Sequence, residues 1–184
     1  MPRTILRIAA TATAALLLAP ATGFGAAVTS TGTITGSVLS AATSATPSFS
    51  ANLDSGDQTQ TYTVPLSIQD TRGTGAGWNL TVTSTTFTTG GGSPKTLATN
   101  ASSLTGVNSS CTSGTCTNPS NAQSYPINVP AAASAPTAVK FFNTTASNGM
   151  GVFTITPTIG VSIPQNTYAG TYTSTVTLSV VTGP

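Results

Sequence analysis

Thr61-Tyr62-Thr63-Val64-Pro65-Leu66-Ser67-Ile68-Gln69 alternates without a break. Tyr62, Val64, Leu66 and Ile68 fall on one side, with Thr61, Thr63, Pro65, Ser67 and Gln69 on the other. A period of two marks a half-buried strand, because successive side chains of extended backbone point to opposite faces. The pattern returns over 171–181, where Tyr172, Val176, Leu178 and Val180 oppose four threonines and Ser179. Trp78, Leu80 and Val82 alternate with Asn79, Thr81 and Thr83. Phe153, Ile155, Ile159, Val161 and Ile163 alternate with Thr154, Thr156, Thr158 and Ser162. Weaker strands are predicted over 32–39, 48–53, 125–129 and 137–142. Strands with one apolar and one hydroxyl face belong to antiparallel sheets packed on one side. Two such sheets face to face predict an all-β fold, an antiparallel β-sandwich of immunoglobulin-like general architecture.

Turn formers separate the strands: Asp54-Ser55-Gly56-Asp57, Gly73 to Gly77, Gly90-Gly91-Gly92-Ser93-Pro94 and Asn148-Gly149. Pro65 and Pro157 interrupt strand patterns and predict edges or bulges there. The polar stretch 90–136 reads as an elaborated, loop-rich connection within a single domain over 28–184.

Composition narrows the function. Of 184 residues only 4% are charged, with no His, while 39 Thr and 22 Ser make up a third of the chain. The usual general bases and metal ligands are therefore nearly missing, and a Ser or Thr nucleophile has no His to activate it. No enzyme chemistry and no cofactor are expected, and nucleic-acid binding has no basic footprint. Arg3 and Arg7 precede the apolar run 8–20, which ends in Gly25-Ala26-Ala27. This is the pattern of a secretory signal over 1–27, and the run is shorter than the ~20 residues a membrane span needs. Beyond it, Arg72, Lys95 and Lys140 balance Asp54, Asp57 and Asp70, so the secreted part is neutral. No later segment is apolar enough to span a membrane, and the end at Gly183-Pro184 carries no sorting or anchor pattern. Attachment by non-covalent contact is expected. Cys111 and Cys116 are the only cysteines. In a secreted chain such a pair predicts a disulfide, here placed at a loop tip with little effect on global stability.

The stretch Asp70-Thr71-Arg72-Gly73-Thr74-Gly75-Ala76-Gly77-Trp78-Asn79-Leu80 resembles the first motif of the WxL domain family, Gram-positive surface proteins that attach non-covalently to the cell wall. Ile163-Pro164, Tyr168-Ala169-Gly170-Thr171-Tyr172-Thr173 and the terminal Pro184 are similar to that family's end. The family repeats Trp-x-Leu in its last strand, where this chain has Val176-Thr177-Leu178. The resemblance implies a non-catalytic protein on the cell surface or in the cell wall. It also implies peptidoglycan or an associated polymer as partner, and companion surface proteins. Wall binding is then expected at Asp70, Arg72, Trp78 and Leu80.

The residues themselves give a plainer reading of that stretch. Trp78 and Leu80 share a face and can simply be core, and Asp70 and Arg72 can pair to hold the glycine-rich turn. An exposed pair of this kind is worth only about 0–1 kcal/mol. Asn52, Asp54 and Asp57 offer oxygen atoms near one turn but fall short of the six or more that calcium takes; Asp and Gly as turn formers account for them. Asn79, Asn100, Asn108 and Asn143 begin Asn-x-Ser/Thr triplets, which arise by chance in so hydroxyl-rich a chain. Tyr125 and Tyr168 are the tyrosines expected to be open for stacking on sugars, with Tyr62 and Tyr172 inward. The alternative function is a structural subunit of a surface layer or filament, self-associating through strand edges that lack protective charge.

Overall fold

The computed structural model describes residues 29–184, so the leader predicted over 1–27 lies outside the described residues. Ten strands follow: β1 (Leu39–Ala42), β2 (Gln58–Thr63), β3 (Leu66–Asp70), β4 (Trp78–Thr85), β5 (Ser102–Ser113), β6 (Ile127–Asn128), β7 (Ala131–Ala132), β8 (Val139–Thr144), β9 (Gly151–Ile163) and β10 (Val176–Thr182). One sheet runs β1-β3-β9-β5-β6, with β2 also on β9; the other runs β10-β4-β7, with β8 also on β4. Every pairing is antiparallel except the two-residue β4–β7 contact. The two sheets pack face to face as a β-sandwich around one apolar core, in which Ile68, Trp78, Leu80, Val82, Phe153 and Ile155 are fully enclosed.

The stretch 61–69 is one line of backbone broken in the middle. β2 and β3 both lie along β9, and the break at Val64-Pro65 sits opposite Thr156-Pro157. Proline lacks the N–H a ladder needs, so pairing lapses where the two prolines meet. Val64 N–H still reaches the Pro157 carbonyl at 3.2 Å. The expected break at Pro65 is present, but Pro157 does not mark an edge. β9 has β2 and β3 on one side and β5 on the other.

Several expectations are corrected. The stretch 90–136 is rich in connection, but it also carries the twelve-residue β5, which pairs along β9 from Ser102 to Ser113. The segment 48–53 forms no strand and leads into a 3-10 turn over Leu53–Ser55. Likewise, the 32–39 strand reduces to β1, starting at Leu39. Asn52 Oδ1 accepts the Asp54 amide and Asp57 Oδ1 accepts the Gln165 amide, so both shape turns. Finally, Val176, Leu178 and Val180 point inward as expected but are only half-buried. β10 is an edge strand, paired with β4 alone, and the opposite sheet does not fully cover its inner face.

Candidate functional site

The glycine-rich corner is where β3 hands over to β4. Gly73, Gly75 and Gly77 all have positive φ, near 70°, 62° and 71°, a region in which a side chain is strained. Gly77 is further constrained: a Cβ there would lie 2.6 Å from the Thr144 carbonyl oxygen. This crowding explains why glycine precedes Trp78.

Arg72 spans the corner. Its Nε donates to Asp70 Oδ1 at 2.8 Å and its Nη2 to Asp70 Oδ2 at 2.9 Å, a bidentate pair. Nη2 also donates to the Gly77 carbonyl at 2.9 Å, and Nη1 to Thr182 Oγ1 at 3.0 Å. The guanidinium therefore links β3 of one sheet to β4 and β10 of the other. The expected pairing is present, but it is not an exposed one: the side chains are 15% and 1% exposed. Hydrogen bonding to Asp70 raises the Arg72 pKa further above its ordinary value.

Trp78 is fully buried, stacked on Phe142 at 5.6 Å and tilted against Phe153 at 6.5 Å. Its Nε1–H donates to the Gly149 carbonyl at 2.9 Å, so the one polar atom of the indole is satisfied. Leu80 is equally enclosed and lies opposite Val180 of β10 and Phe142 of β8. A register shift after Leu80 lets Phe141 and Phe142, adjacent in sequence, both reach the core. The four residues singled out in the sequence thus lie around one end of the sandwich, and all are engaged within it.

A family model described as WxL domain surface cell wall-binding matches residues 10–184. The chain belongs to the WxL family. It is accordingly a cell-wall-binding domain of the cell surface, and no helix among the described residues is long and apolar enough to cross a membrane. No curated protein and no solved structure matches it.

In this WxL domain the named tryptophan and leucine are packing residues, and Asp70 and Arg72 brace the end of the last strand. Val176, where the family resemblance expects the second tryptophan, sits half-buried on the inner side of β10 opposite Ser84. Cys111 and Cys116 form the expected disulfide. Its setting is not a loop tip, because Cys111 lies in β5 opposite Phe153 and Cys116 packs on the core. Tyr125 is half-buried, with its hydroxyl donating to the Phe141 carbonyl and accepting from Asn121, whereas Tyr168 is 65% exposed. Sequence reasoning missed Lys95, whose Nζ stands 4.3 Å over the Tyr168 ring. Neither residue carries a motif, and only the fold brings them together.

Proposed function

We propose that this WxL domain binds peptidoglycan itself, non-covalently and without catalysis, and that Asp70, Arg72, Trp78 and Leu80 serve adhesion by fixing the last strand. The observation that carries this reading is the Arg72 fork, which joins Asp70, the Gly77 carbonyl and Thr182 of β10. Leu80 and Trp78 continue the same bracing, lying opposite Val180 and Thr182 in register. Polymer contact then falls to exposed groups whose positions depend on β10. Purified peptidoglycan, free of attached polymers, should pellet the secreted protein. Arg72→Lys keeps a cation beside Asp70 but loses the planar fork, and should pellet several-fold less while remaining folded. Full adhesion by that variant would remove the corner from the binding account.

A second reading, a self-associating structural subunit, is favoured by one observation. β10 pairs on one side only, and its seven residues include no charge and no proline to deter a further strand. Size-exclusion chromatography over a concentration series tests it: ordered oligomers without wall binding would put this reading first.

A further inference from the structure

The half-buried Val176 and Leu178 of β10 line a groove of about 1030 Å³, shared with the segment 43–53 and with β2. The volume is at the upper end of the roughly 300–1,000 Å³ of small-molecule sites, with room for more than one sugar ring. Phe49 stacks on Tyr62 at 6.0 Å and meets Phe87 edge-on at 5.6 Å, forming an aromatic bank along it. No charged side chain lines it, and threonine and serine hydroxyls are abundant around it. Tyr168 stands at its mouth and also borders a smaller hollow that contains Lys95.

Tyr62 is the observation that points to a ligand. It is 9% exposed and lines the groove, yet its hydroxyl has no hydrogen-bond partner among the described residues. Tyr125 and Tyr172, both less buried, have theirs, to the Phe141 and Tyr168 carbonyls. Thr144 Oγ1 is the one fully buried side-chain nitrogen or oxygen without a partner among the described residues, so the Tyr62 hydroxyl opens to the groove, where it can donate to a ligand.

We infer that this groove binds the glycan strand of peptidoglycan, with the Tyr62 hydroxyl donating to an N-acetyl carbonyl and Val176 and Leu178 receiving its methyl group. The inference rests on the wall-binding reading and gives it a location. A charged polymer would find no counter-charge in the groove. A lipid chain would leave the Tyr62 hydroxyl and the hydroxyl rim unpaired. A neutral N-acetylated sugar offers apolar C–H faces to the aromatic bank and hydrogen-bonding groups to the rim.

The test is calorimetric titration of the secreted protein with the uncharged tetramer of N-acetylglucosamine, alongside pull-down with peptidoglycan. Saturable binding is expected. Tyr62→Phe, which removes one oxygen and keeps the ring stack, should weaken it about five- to tenfold, the effect of one hydrogen bond. Tyr168→Ala at the mouth should weaken it as well, while Lys140→Ala, on β8 outside the groove, should not. A protein that pellets with peptidoglycan but does not take up the tetramer, or that binds a free stem peptide instead, overturns the groove and leaves wall binding standing. Equal affinity of Tyr62→Phe and wild type also overturns it. A protein that binds the tetramer through Tyr62 but ignores peptidoglycan keeps the groove as a sugar site and removes the peptidoglycan reading.

Discussion

Trp78→Ala would empty a fully buried site between Phe142 and Phe153. Denaturant titration should show a loss of about 3–5 kcal/mol, the range for deleting a large core aromatic. Arg72→Ala strands the Asp70 carboxylate, which is only 1% exposed. A loss of about 2–3 kcal/mol is expected, below the full cost of breaking a buried pair because the arginine retains some contact with water. The same titration checks it, and a change under about 0.5 kcal/mol would restore the weak surface pair read from the sequence. That two-residue spacing made the Asp70–Arg72 pairing legible. Its burial was not, since nothing local announces that Thr182 returns 110 residues later to close over it. Tyr62 yields a pH prediction. Burial pushes its phenol from 10.0 up to about 12 in the native state. The unfolded chain loses this proton first, so the contribution is complete below pH 10 and is lost as pH rises toward about 12. Denaturation midpoints across that window should fall less steeply in Tyr62→Phe than in wild type.

Among the elements, legibility followed the alternation of apolar residues. β4 and β9 carry it cleanly and are legible to within two residues at each end, whereas β2 and β3 read as one strand over 61–69. β5 escaped because its sequence, Ser-Ser-Leu-Thr-Gly-Val-Asn-Ser-Ser-Cys-Thr-Ser, has few apolar side chains to count. Register shifts after Leu104 and Cys111 then break even that period. Half of this strand is exposed on both faces, and backbone pairing with β9 holds it rather than burial. The disulfide acquires a different meaning in this setting. Cys111 and Cys116 tie the end of β5 to a segment in which the Thr117 amide donates to the Met150 carbonyl and the Thr117 carbonyl accepts from the Gly149 amide. Replacing both cysteines with serine should therefore lower stability by about 2 kcal/mol, the chain-entropy value for so short a ring. An unchanged midpoint would mean the segment is loosely held after all. Gly77→Ala tests the corner as an element. Its positive φ and the 2.6 Å approach to the Thr144 carbonyl should make alanine destabilising by at least about 1 kcal/mol, whereas Gly73→Ala, with open space around it, should be milder.

For the whole molecule, the decisive quantity is charge. Among residues 28–184, three cations balance three carboxylates, and Arg72 and Asp70 already neutralise each other within the corner. Only Asp54, Asp57, Lys95 and Lys140 remain, spread over separate loops and β8. Such a body has no field with which to attract an anionic polymer from a distance. The sandwich itself was legible in the sequence because each sheet has one apolar face. The groove was not, because it arises where β10 meets an incompletely covering partner sheet, and no periodicity within β10 records that. Adhesion built on neutral contacts, aromatic stacking and hydroxyl pairing has a distinctive salt response. Raising ionic strength from about 0.05 to about 0.5 M shortens the screening length several-fold and weakens exposed charge attraction accordingly. Burial of apolar surface is not weakened by that change. Binding of the secreted protein to purified peptidoglycan, followed by pull-down across this range, should therefore vary by less than about twofold. A steep fall with salt would require Lys95 or Lys140 to carry the contact through wall anions. Lys95→Ala and Lys140→Ala, measured at the low-salt end, would then show which of the two does so.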